Sequence, residues 1–400
     1  MKILIISQYF FPENFRINDF AYSLVKRGHD VTVLTGLPNY PKGKYFGDFK
    51  VLKREEMNGL QIIRVPLIPR FQSKGWQLAI NYLSFLFSSL IFSPFLILKD
   101  KYDVVFTASY SPATVGITGV LISKIKKAKM ALWVQDLWPE SLTATGAIKS
   151  SFILYFFRSM SIWIYKRSDL ILIQSMAFSQ KIRKYGIDSS KIDFFPNWAE
   201  DLYKSVPEDH EDLRSTIASE KFIIMFAGNL GKAQSLGTIA KAAYLTKDRE
   251  IQWVIVGDGR EKSAFEEKIN DLEIENVTFL GSFAVDKMPA LFASADALLV
   301  TLKKDPIFSV TIPGKLQSYM LSEKPILASI DGEGAKVITE SDCGFSVPSE
   351  DYQALASSAI ELSQLSASRR KEMGLRGRQY YDLNFNREIL IDKFENYFKD

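Results

Sequence analysis

Short apolar runs alternate with longer amphipathic stretches along almost the whole chain, and this alternation limits the fold more than any other feature. Residues 2–7 predict a strand, residues 17–26 a helix, and residues 31–35 a second strand. This order opens a doubly wound parallel sheet, so the sequence predicts an α/β fold. The same pattern predicts further strands at residues 60–65, 104–107, 130–134 and 170–173, with helices at 113–124 and 175–185.

The pattern stops near residue 197 and then starts again. A polar, acidic stretch through residue 220 separates the two series. Because each series is long enough to bury its own core, we predict two Rossmann-like domains, residues 1–197 and 198–384. A last helix within residues 385–400 can pack back on either domain. The second series predicts strands at 222–227, 253–256, 277–280, 297–301, 325–328 and 344–347, with helices at 235–244 and 261–271.

The composition excludes several classes of protein. One cysteine in 400 residues cannot form a disulfide framework, and two scattered histidines cannot form a multi-histidine zinc site. A net charge of +4 without a long basic run does not indicate a nucleic-acid partner. The apolar start is too short for a signal peptide and reads as a buried strand, so we expect a cytoplasmic protein.

Residues 76–98 contain no charged side chain and are long enough to span a bilayer. Three interpretations stay open: a membrane span, a buried helix, and a helix whose apolar face dips into the membrane interface. Serines and a proline interrupt the stretch, and the flanking strands are expected in one sheet, which argues against a span. Residues 152–167 form a second aromatic stretch. We therefore favour peripheral membrane contact through both segments.

Polar side chains follow two predicted strands of the first half, at the sheet edge where ligands of parallel sheets bind. Residues 7–16 lack the glycine fingerprint of a dinucleotide site but offer Glu13, Asn14 and Arg16. Residues 133–141 offer Asp136 and Glu140 for a sugar hydroxyl, with tryptophans suited to sugar stacking. For residues 7–16 the alternative is a packed loop with a solvated arginine. For residues 133–141 the alternative is tryptophans buried under the loop, with solvated carboxylates.

Three glycine turns follow strands of the second half. They are residues 226–234 with Lys232, residues 256–259 and residues 280–283. Glycines let backbone N–H groups approach phosphate oxygens, and a helix start adds partial positive charge. Tight turns needed only for helix packing are the alternative.

Residues 303–319 join a strand to a helix that begins near Pro313 and Gly314. Proline beside glycine suits a helix start with free N–H groups. Lys315 lies in the first turn, where the helix dipole disfavours a cation by about 0.3–1 kcal/mol. A lysine there makes sense if an anion occupies the helix start, and a surface lysine is the alternative.

Six short motifs together resemble the family 4 retaining glycosyltransferases of GT-B fold, and the resemblance covers nearly the whole chain. Within that family, the sequence looks closest to bacterial capsule and O-antigen N-acetyl-L-fucosamine transferases. The motifs are Lys-Arg-Gly-His-Asp-Val at 26–31, Gln-Asp-Leu-Trp-Pro-Glu at 135–140, Phe-Pro-Asn-Trp at 195–198, Gly-Asn-Leu-Gly at 228–231, Ile-Pro-Gly-Lys at 312–315 and Glu-Lys-Pro-Ile at 323–326.

The resemblance implies two Rossmann-like domains facing across a cleft, with the final helix returning to the first. It implies a UDP-sugar bound mainly by the second domain, no metal or other cofactor, and a polyprenyl-diphosphate-linked saccharide as acceptor at the inner face of the cell membrane. Retention without an enzymic nucleophile implies a front-face mechanism. Lysine and backbone N–H groups then offset the charge of the leaving diphosphate.

Carried over by position, the resemblance and the loops above give the following candidates. The catalytic candidates are Asp136, Lys232 and Lys315. The donor-binding candidates are Gly228, Asn229, Gly231, Gly257, Gly281, Ser282, Phe283, Thr311, Pro313, Gly314, Gln317 and Ser318. The acceptor-side candidates are Glu13, Asn14, Arg16, Trp138 and Glu140.

One departure from the family pattern concerns the ribose. Members usually carry two glutamates eight positions apart, and the matching positions here are Val310 and Ser318. Gln317 or Ser318 replaces the second carboxylate only in part. Missing the first glutamate fits a donor that lacks one hydroxyl, such as a 6-deoxy sugar.

Two other functions are compatible with this fold. A sugar-nucleotide 2-epimerase would need acid and base groups beside the sugar, and would isomerise UDP-N-acetylglucosamine without an acceptor. A non-catalytic sugar-nucleotide-binding protein, suggested by Val310 and Ser318, would bind donor without turnover.

Overall fold

The computed structural model describes residues 1–144, 148, 150–204 and 220–399 of the chain. The chain divides into two compact units. The first is Met1–Pro196 together with the terminal segment from Leu390, and the second is Asn197–Ile389. Each unit is a mainly parallel sheet flanked by helices, so the predicted α/β class is confirmed.

The sheet of the first unit has the strand order β3-β4-β2-β1-β5-β6-β7-β8. Neighbouring strands run parallel except for β3, which pairs antiparallel with β4. Residues 3–6 of β1 are fully buried, as expected for a central strand covered on both faces. The strands are β1 Lys2–Ile6, β2 Asp30–Gly36, β3 Arg54–Met57, β4 Leu60–Val65, β5 Val104–Ser109, β6 Lys129–Val134, β7 Leu170–Ile173 and β8 Ile192–Phe194.

The helices of the first unit cover this sheet through apolar faces. In the first helix Ile17, Phe20, Ala21 and Leu24 are buried, which is the i, i+3, i+4, i+7 spacing of a single stripe. The helices are α1 Arg16–Lys26, α2 Gly75–Leu96, α3 Val115–Lys126, α4 Glu140–Ala144, α5 Ser151–Arg167 and α6 Met176–Arg183, with a short 3₁₀ turn at Ser189–Lys191.

The second unit has an entirely parallel sheet of order β11-β10-β9-β12-β13-β14. Its strands are β9 Phe222–Ala227, β10 Ile251–Val256, β11 Val277–Gly281, β12 Ala297–Thr301, β13 Ile326–Ser329 and β14 Gly344–Val347. The strand order reverses between β9 and β12. In open parallel sheets such a reversal leaves a crevice at the carboxyl ends of the strands, where ligands bind.

Eight helices accompany this second sheet in the described part of the unit, along with short 3₁₀ turns at Asp201–Lys204, Lys232–Gln234 and Val285–Lys287. The helices are α7 Leu236–Leu245, α8 Lys262–Asp271, α9 Met288–Ser294, α10 Pro306–Ser309, α11 Gly314–Leu321, α12 Gly332–Ser341, α13 Tyr352–Gln364 and α14 Ala367–Asn384.

The last helix, α15 Arg387–Asn396, carries the chain back to the first unit. The Phe394 ring lies 5.3 Å from that of Phe20 and 5.5 Å from that of Phe106, edge to face. The Glu395 carboxylate lies 2.8 Å from Nε2 of His29, and Lys393 donates to Asp193 at 2.7 Å. Apolar packing on α1 and β5 and polar contacts with β8 together hold the helix against the first unit.

Two strands of the first unit have no counterpart in the sequence prediction. β3 reads Arg-Glu-Glu-Met and carries no apolar face, because it is an edge strand that pairs on one side only. β8 falls where the pattern was taken to stop. It has only three residues, and its side chains are partly exposed.

We expect Phe394→Ala to lower the free energy of unfolding of the first unit by about 3–5 kcal/mol, because it removes a fully buried ring. Chemical denaturation followed by tryptophan fluorescence measures this. The matched control is Ile389→Ala in the same helix, whose side chain is 47% exposed. An equal loss in both variants would contradict the assigned packing.

Candidate functional site

The glycine turns of the second unit interlock at the carboxyl ends of β9, β10 and β11. Gly228 has φ +140° and Gly257 has φ +133°, which are conformations that favour glycine. A Cβ on Gly257 would lie 1.9 Å from the Gly228 carbonyl oxygen. The N–H of Gly228 donates to Val256, and that of Gly257 donates to Gly281. These glycines are therefore required to bring the turns together.

Lys315 extends over the first of these turns from the start of α11. A Cβ on Gly228 would lie 2.7 Å from the Lys315 Cε. The ammonium donates to Oε1 of Gln234 at 2.8 Å and lies 3.7 Å from the centre of the Phe226 ring. The lysine is thus held at the end of β9, at the point where the strand order reverses.

Tyr319 anchors the helix that carries this lysine, and the sequence analysis did not identify it. Its buried hydroxyl accepts from the N–H of Ala227 at 3.1 Å and lies 3.3 Å from the carbonyl oxygen of the same residue. Residues four apart share one face of a helix, so Tyr319 fixes the position of Lys315. The sequence signal for this anchor is the spacing, since a tyrosine four residues after Lys315 lies on the same face of the helix.

Burial lowers the pKa of Lys315 to about 7. No described carboxylate neutralises it, since its contacts are an amide oxygen, a ring and backbone. An anion that binds at Gly228 would therefore favour the protonated, charged form of Lys315. Above neutral pH, binding of the anion would be coupled to uptake of a proton by this lysine. The arrangement suits a phosphate or diphosphate group.

Lys232 lies on the same turn but faces a different space. It is exposed and lines a cavity of about 510 Å³ beside α7, together with Lys303, Lys241 and Lys268. The Lys303 N–H donates to the Ala233 carbonyl at 2.9 Å, which ties the loop after β12 to this turn. Contact of Lys232 with a diphosphate stays a prediction.

The remaining donor-side candidates lie around the same sheet edge. Ser282 and Phe283 follow β11 and are exposed, with Phe283 available to stack on a flat ring. Asn229 is exposed, and its amide lies near Gly231. The Thr311 hydroxyl donates to Phe308, and Pro313 and Gly314 form the uncapped start of α11.

The structure contradicts a donor contact through Gln317. The side chain is buried, and its amide nitrogen, oriented to satisfy its hydrogen bonds, donates to the carbonyls of Pro313 and Gly314 at 3.1 and 2.9 Å. Ser318 likewise donates to its own helix, to the Lys315 carbonyl at 3.0 Å. Both side chains are thereby engaged within α11, and neither satisfies the N–H groups at the start of that helix, which has no capping side chain.

In the first unit, Asp136 follows β6 and is held in one orientation. Its Oδ2 accepts from the Ser111 hydroxyl at 2.7 Å, and Ser111 in turn accepts from the Trp138 indole at 3.3 Å. Burial raises the pKa of Asp136, and the hydrogen bond from Ser111 opposes that rise. A positioned carboxylate of this kind can accept a hydrogen bond from a hydroxyl group.

The expectation that Trp138 offers an open face for sugar stacking is wrong. Its side chain is 4% exposed and meets the Phe157 ring edge to face at 5.1 Å. Trp133 is fully buried within β6. The Trp138 indole donates a hydrogen bond to Ser111, and Ser111 donates one to Asp136. Trp138 therefore influences the orientation of Asp136 only through Ser111.

Glu13 is also a structural residue. It is buried, and its carboxylate accepts from the backbone N–H groups of Asn39 and Tyr40 at 2.8 and 2.7 Å and from that of Phe10 at 3.3 Å. Burial raises the pKa of Glu13, and these hydrogen bonds oppose the rise. The residue joins the loops after β1 and β2, so it is not available to an acceptor.

The other acceptor-side candidates are placed separately. Asn14 is exposed, and Arg16 begins α1 near Tyr110. Glu140 begins α4, and its Oε1 accepts from the Tyr185 hydroxyl.

An aromatic group not identified from the sequence lies beside Asp136. The Tyr9 ring stacks on that of Phe15 at 4.7 Å, and the Phe15 ring lies 5.3 Å from that of Tyr40. The guanidinium of Arg70 lies 4.8 Å from the centre of the Tyr40 ring. Tyr82 of α2 interacts electrostatically with Tyr9, and burial is the main reason why the pKa of each is raised.

Helix α2 has its polar and apolar faces reversed relative to an ordinary surface helix. Its exposed large side chains are spaced by three or four residues and form one stripe, while serines and Asn81 face the protein. Ser89 contacts Thr118 of α3 at 2.8 Å, for example. The stripe is Trp76, Ile80, Leu83, Phe87, Ile91 and Phe95.

Helix α5 carries a second set of exposed apolar side chains, and α3 contacts both α2 and α5. A Cβ on Gly116 of α3 would lie 2.7 Å from Ile164 of α5. Phe152 is 79% exposed, and Tyr155 and Phe156 are exposed beside it. We call the exposed side chains of α2 and α5 the apolar face.

Among the described residues, α2 is the one helix long and apolar enough to cross a membrane by length and composition. The strands before and after it, β4 and β5, belong to one sheet. If α2 crossed a bilayer, these two strands would lie on opposite sides of the membrane. The shared sheet therefore argues against a membrane-spanning α2. In the same part of the chain, no three His, Cys, Asp or Glu side chains are grouped to hold a metal ion.

Two family models match the chain, one in each unit. The model described as "Glycosyl transferase 4-like domain" matches residues 14–198, and the model described as "Glycosyl transferases group 1" matches residues 221–364.

The chain is similar to two described bacterial proteins over most of their lengths. WbjE of Pseudomonas aeruginosa, described as a glycosyltransferase, is 25% identical over 77% of this chain and 78% of that protein. WcaI of Escherichia coli, described as a colanic acid biosynthesis glycosyl transferase, is 26% identical over 80% of this chain and 81% of that one.

The fold is similar to that of HepE of Anabaena, solved in complex with UDP. The TM-score is 0.73, with 17% identity over 99% of each chain.

We expect Lys315→Met to abolish binding of inorganic pyrophosphate and to raise the melting temperature of the second unit. Wild-type affinity should fall as the pH rises above about 7, because binding must then supply the missing proton. The folded-state pKa lies below the unfolded value of about 10.5, so the stability gain of the variant should be largest below pH 7. Calorimetry and thermal unfolding across pH measure both effects.

Lys247→Met is the matched control, since Lys247 is an exposed lysine 4.6 Å from the centre of the Tyr244 ring. Lys247→Met should change neither the pyrophosphate affinity nor the melting temperature. Pyrophosphate affinity that stays constant from pH 6 to 9 would overturn the role given to Lys315.

Proposed function

We propose that this chain, which is a family 4 glycosyltransferase of GT-B fold, transfers a sugar from a UDP-sugar to a saccharide linked to polyprenyl diphosphate. The matches in both units support the reaction class. HepE, which binds UDP, supports a UDP-linked donor, and WcaI supports a place in surface-polysaccharide biosynthesis such as capsule or O-antigen assembly.

The placement of Lys315 is the observation that carries the donor assignment. In this proposal the diphosphate lies against Gly228 and the start of α11, where Lys315 and uncapped N–H groups meet it. The uracil stacks near Phe283, which is exposed after β11. Lys232 approaches from the exposed side of the same turn.

We propose that the reaction proceeds with retention and without a metal. The bond from the anomeric carbon to the diphosphate oxygen breaks, and the acceptor oxygen bonds to that carbon on the same face. The acceptor proton passes to the departing phosphate oxygen. Lys315 stabilises the charge that develops there, and Asp136, fixed by Ser111, holds the acceptor hydroxyl.

The donor sugar in this proposal is an N-acetylamino 6-deoxy hexose such as N-acetyl-L-fucosamine. By the family resemblance, Val310 and Ser318 occupy the positions of two glutamates that usually hold hydroxyl groups. An apolar Val310 suits a sugar that lacks one hydroxyl. Because Ser318 and Gln317 bond within α11, we assign the ribose to neither residue.

The proposed location is the inner face of the cell membrane, with the apolar face in the lipid interface. Neither α2 nor α5 contains an acidic residue. Exposed basic residues flank both helices, namely Lys74, Lys99, Lys166 and Arg167. This combination of apolar surface and basic rim suits an anionic bilayer.

We expect the purified chain to release UDP from UDP-N-acetyl-L-fucosamine only when a polyprenyl-diphosphate-linked saccharide is supplied, and to do so in EDTA. Asp136→Asn should lower kcat/KM about tenfold to a hundredfold while leaving UDP affinity unchanged, since it removes a charge-assisted hydrogen bond to the acceptor hydroxyl. Coupled UDP detection and calorimetry measure the two effects.

The control is Asp271→Asn, an exposed carboxylate at the end of α8, which should keep full activity. Isomerisation of the UDP-sugar without acceptor, or UDP binding without turnover on any acceptor, would replace the proposed reaction.

We expect the chain to sediment with vesicles of phosphatidylglycerol and phosphatidylcholine, and the double variant Phe87→Ser, Ile91→Ser to lose this binding. Each exposed side chain removed should weaken binding about tenfold or more. Leu383→Ser in α14 is the control, because Leu383 is exposed but lies in the second unit. Equal vesicle binding by all three proteins would rule out the apolar face as the contact.

A further inference from the structure

Arg70 lies just before α2, between the apolar face and the aromatic group around Tyr9. Its Nε donates to the Ser73 hydroxyl at 3.0 Å, and its guanidinium lies over the Tyr40 ring. Among the described residues none of its partners is a carboxylate. Arg70 is therefore a cation without an acidic partner at an otherwise aromatic site.

Tyr82 connects this arginine to Asp136. Burial raises the pKa of both Tyr82 and Tyr9, and the positive charge of Arg70 opposes that rise in each. The negative charge of Asp136 acts on Tyr82 as well. The packing agrees with this arrangement. Tyr9 lines a small pocket with Ser111, the hydrogen-bond partner of Asp136, and the Tyr9 ring lies 5.9 Å from that of Tyr40, which Arg70 covers.

The first turns of α2 hold this arrangement against the sheet edge. The Asn81 amide donates to the Ile68 carbonyl at 2.6 Å and to Asn39 at 3.3 Å, and its oxygen accepts from Gln8 at 2.8 Å. These residues follow β4, β2 and β1. The helix with the outward apolar stripe therefore positions the loops that carry Tyr9 and Arg70.

The order of these groups matches the order of chemical groups in a lipid-linked saccharide. Asp136 suits a hydroxyl, the exposed Tyr40 ring suits a sugar ring, Arg70 suits a phosphate, and the stripe beginning at Trp76 suits an isoprenoid tail.

We propose that Arg70 binds the diphosphate of a polyprenyl-diphosphate-linked acceptor, at the junction of the apolar face and the aromatic group. This proposal rests on the proposed function for the identity of the acceptor. It adds a phosphate-binding residue in the first unit, separate from Lys315 in the second.

Calorimetry with farnesyl diphosphate, a soluble isoprenoid diphosphate, tests the proposal without requiring turnover. All proteins carry Lys315→Met, so that the site in the second unit does not contribute. Arg70→Gln should weaken binding about tenfold to a hundredfold, since it removes a charge-assisted contact to phosphate. Arg70→Lys should recover part of the loss.

Arg183→Gln is the matched control, because it removes the same charge from an exposed position at the end of α6. It should bind farnesyl diphosphate like the parent. Inorganic pyrophosphate should bind all of these proteins weakly, since it lacks the tail.

Three results would overturn the proposal. They are unchanged farnesyl diphosphate binding in folded Arg70→Gln, an equal loss in Arg183→Gln, and a loss confined to phosphatidylglycerol vesicles, which would make Arg70 a headgroup contact. Failure of UDP release by the wild-type chain would instead contradict the proposed reaction, and leaves the farnesyl diphosphate measurement as a separate outcome.

Discussion

Burying both faces of a parallel strand leaves the strand ends as the place where polar groups can gather, and the candidate site depends on this constraint. β1, β5 and β6 are buried along nearly their whole length, as are β9 and β10. Their carboxyl ends carry Tyr9, Ser111, Asp136, Gly228 and Gly257. Each unit therefore collects its chemistry on one sheet edge, and helices only bring further side chains to that edge.

The sequence predicted most of the strands, since apolar runs mark them directly. β9, β12 and β14 have the predicted bounds, whereas β3 escaped notice because an edge strand needs no apolar face. Lys315 could be predicted as well, because a cation at a helix start is unfavourable without an anion. Glu13 could not, since its partners Asn39 and Tyr40 are distant in sequence. The GT-B fold, predicted from short motifs, is confirmed by the family models and by HepE.

The two lysines predicted to meet a diphosphate have different environments. Lys315 is held by Tyr319, Phe226 and Gln234, and its pKa is lowered by burial to about 7. Lys232 is exposed and has no such constraint. A preorganised, partly neutral lysine loses little side-chain freedom on binding, whereas an exposed one must be ordered. In the proposed reaction, Lys315 is therefore expected to contribute more than Lys232 to stabilising the diphosphate charge.

The charged edge strand β3 has a consequence for the membrane location proposed above. Confinement to a surface raises the local concentration, and an open strand edge is a template on which another chain can add a strand. Arg54, Glu55 and Glu56 occupy one edge of the first sheet. At the other edge, Asp193 of β8 is engaged by Lys393 and Tyr397 of the returning terminal segment. Charged side chains at one lateral edge of the sheet and the terminal segment at the other disfavour pairing with a strand of another chain. The proposed concentration of the protein at a bilayer therefore need not lead to polymerisation.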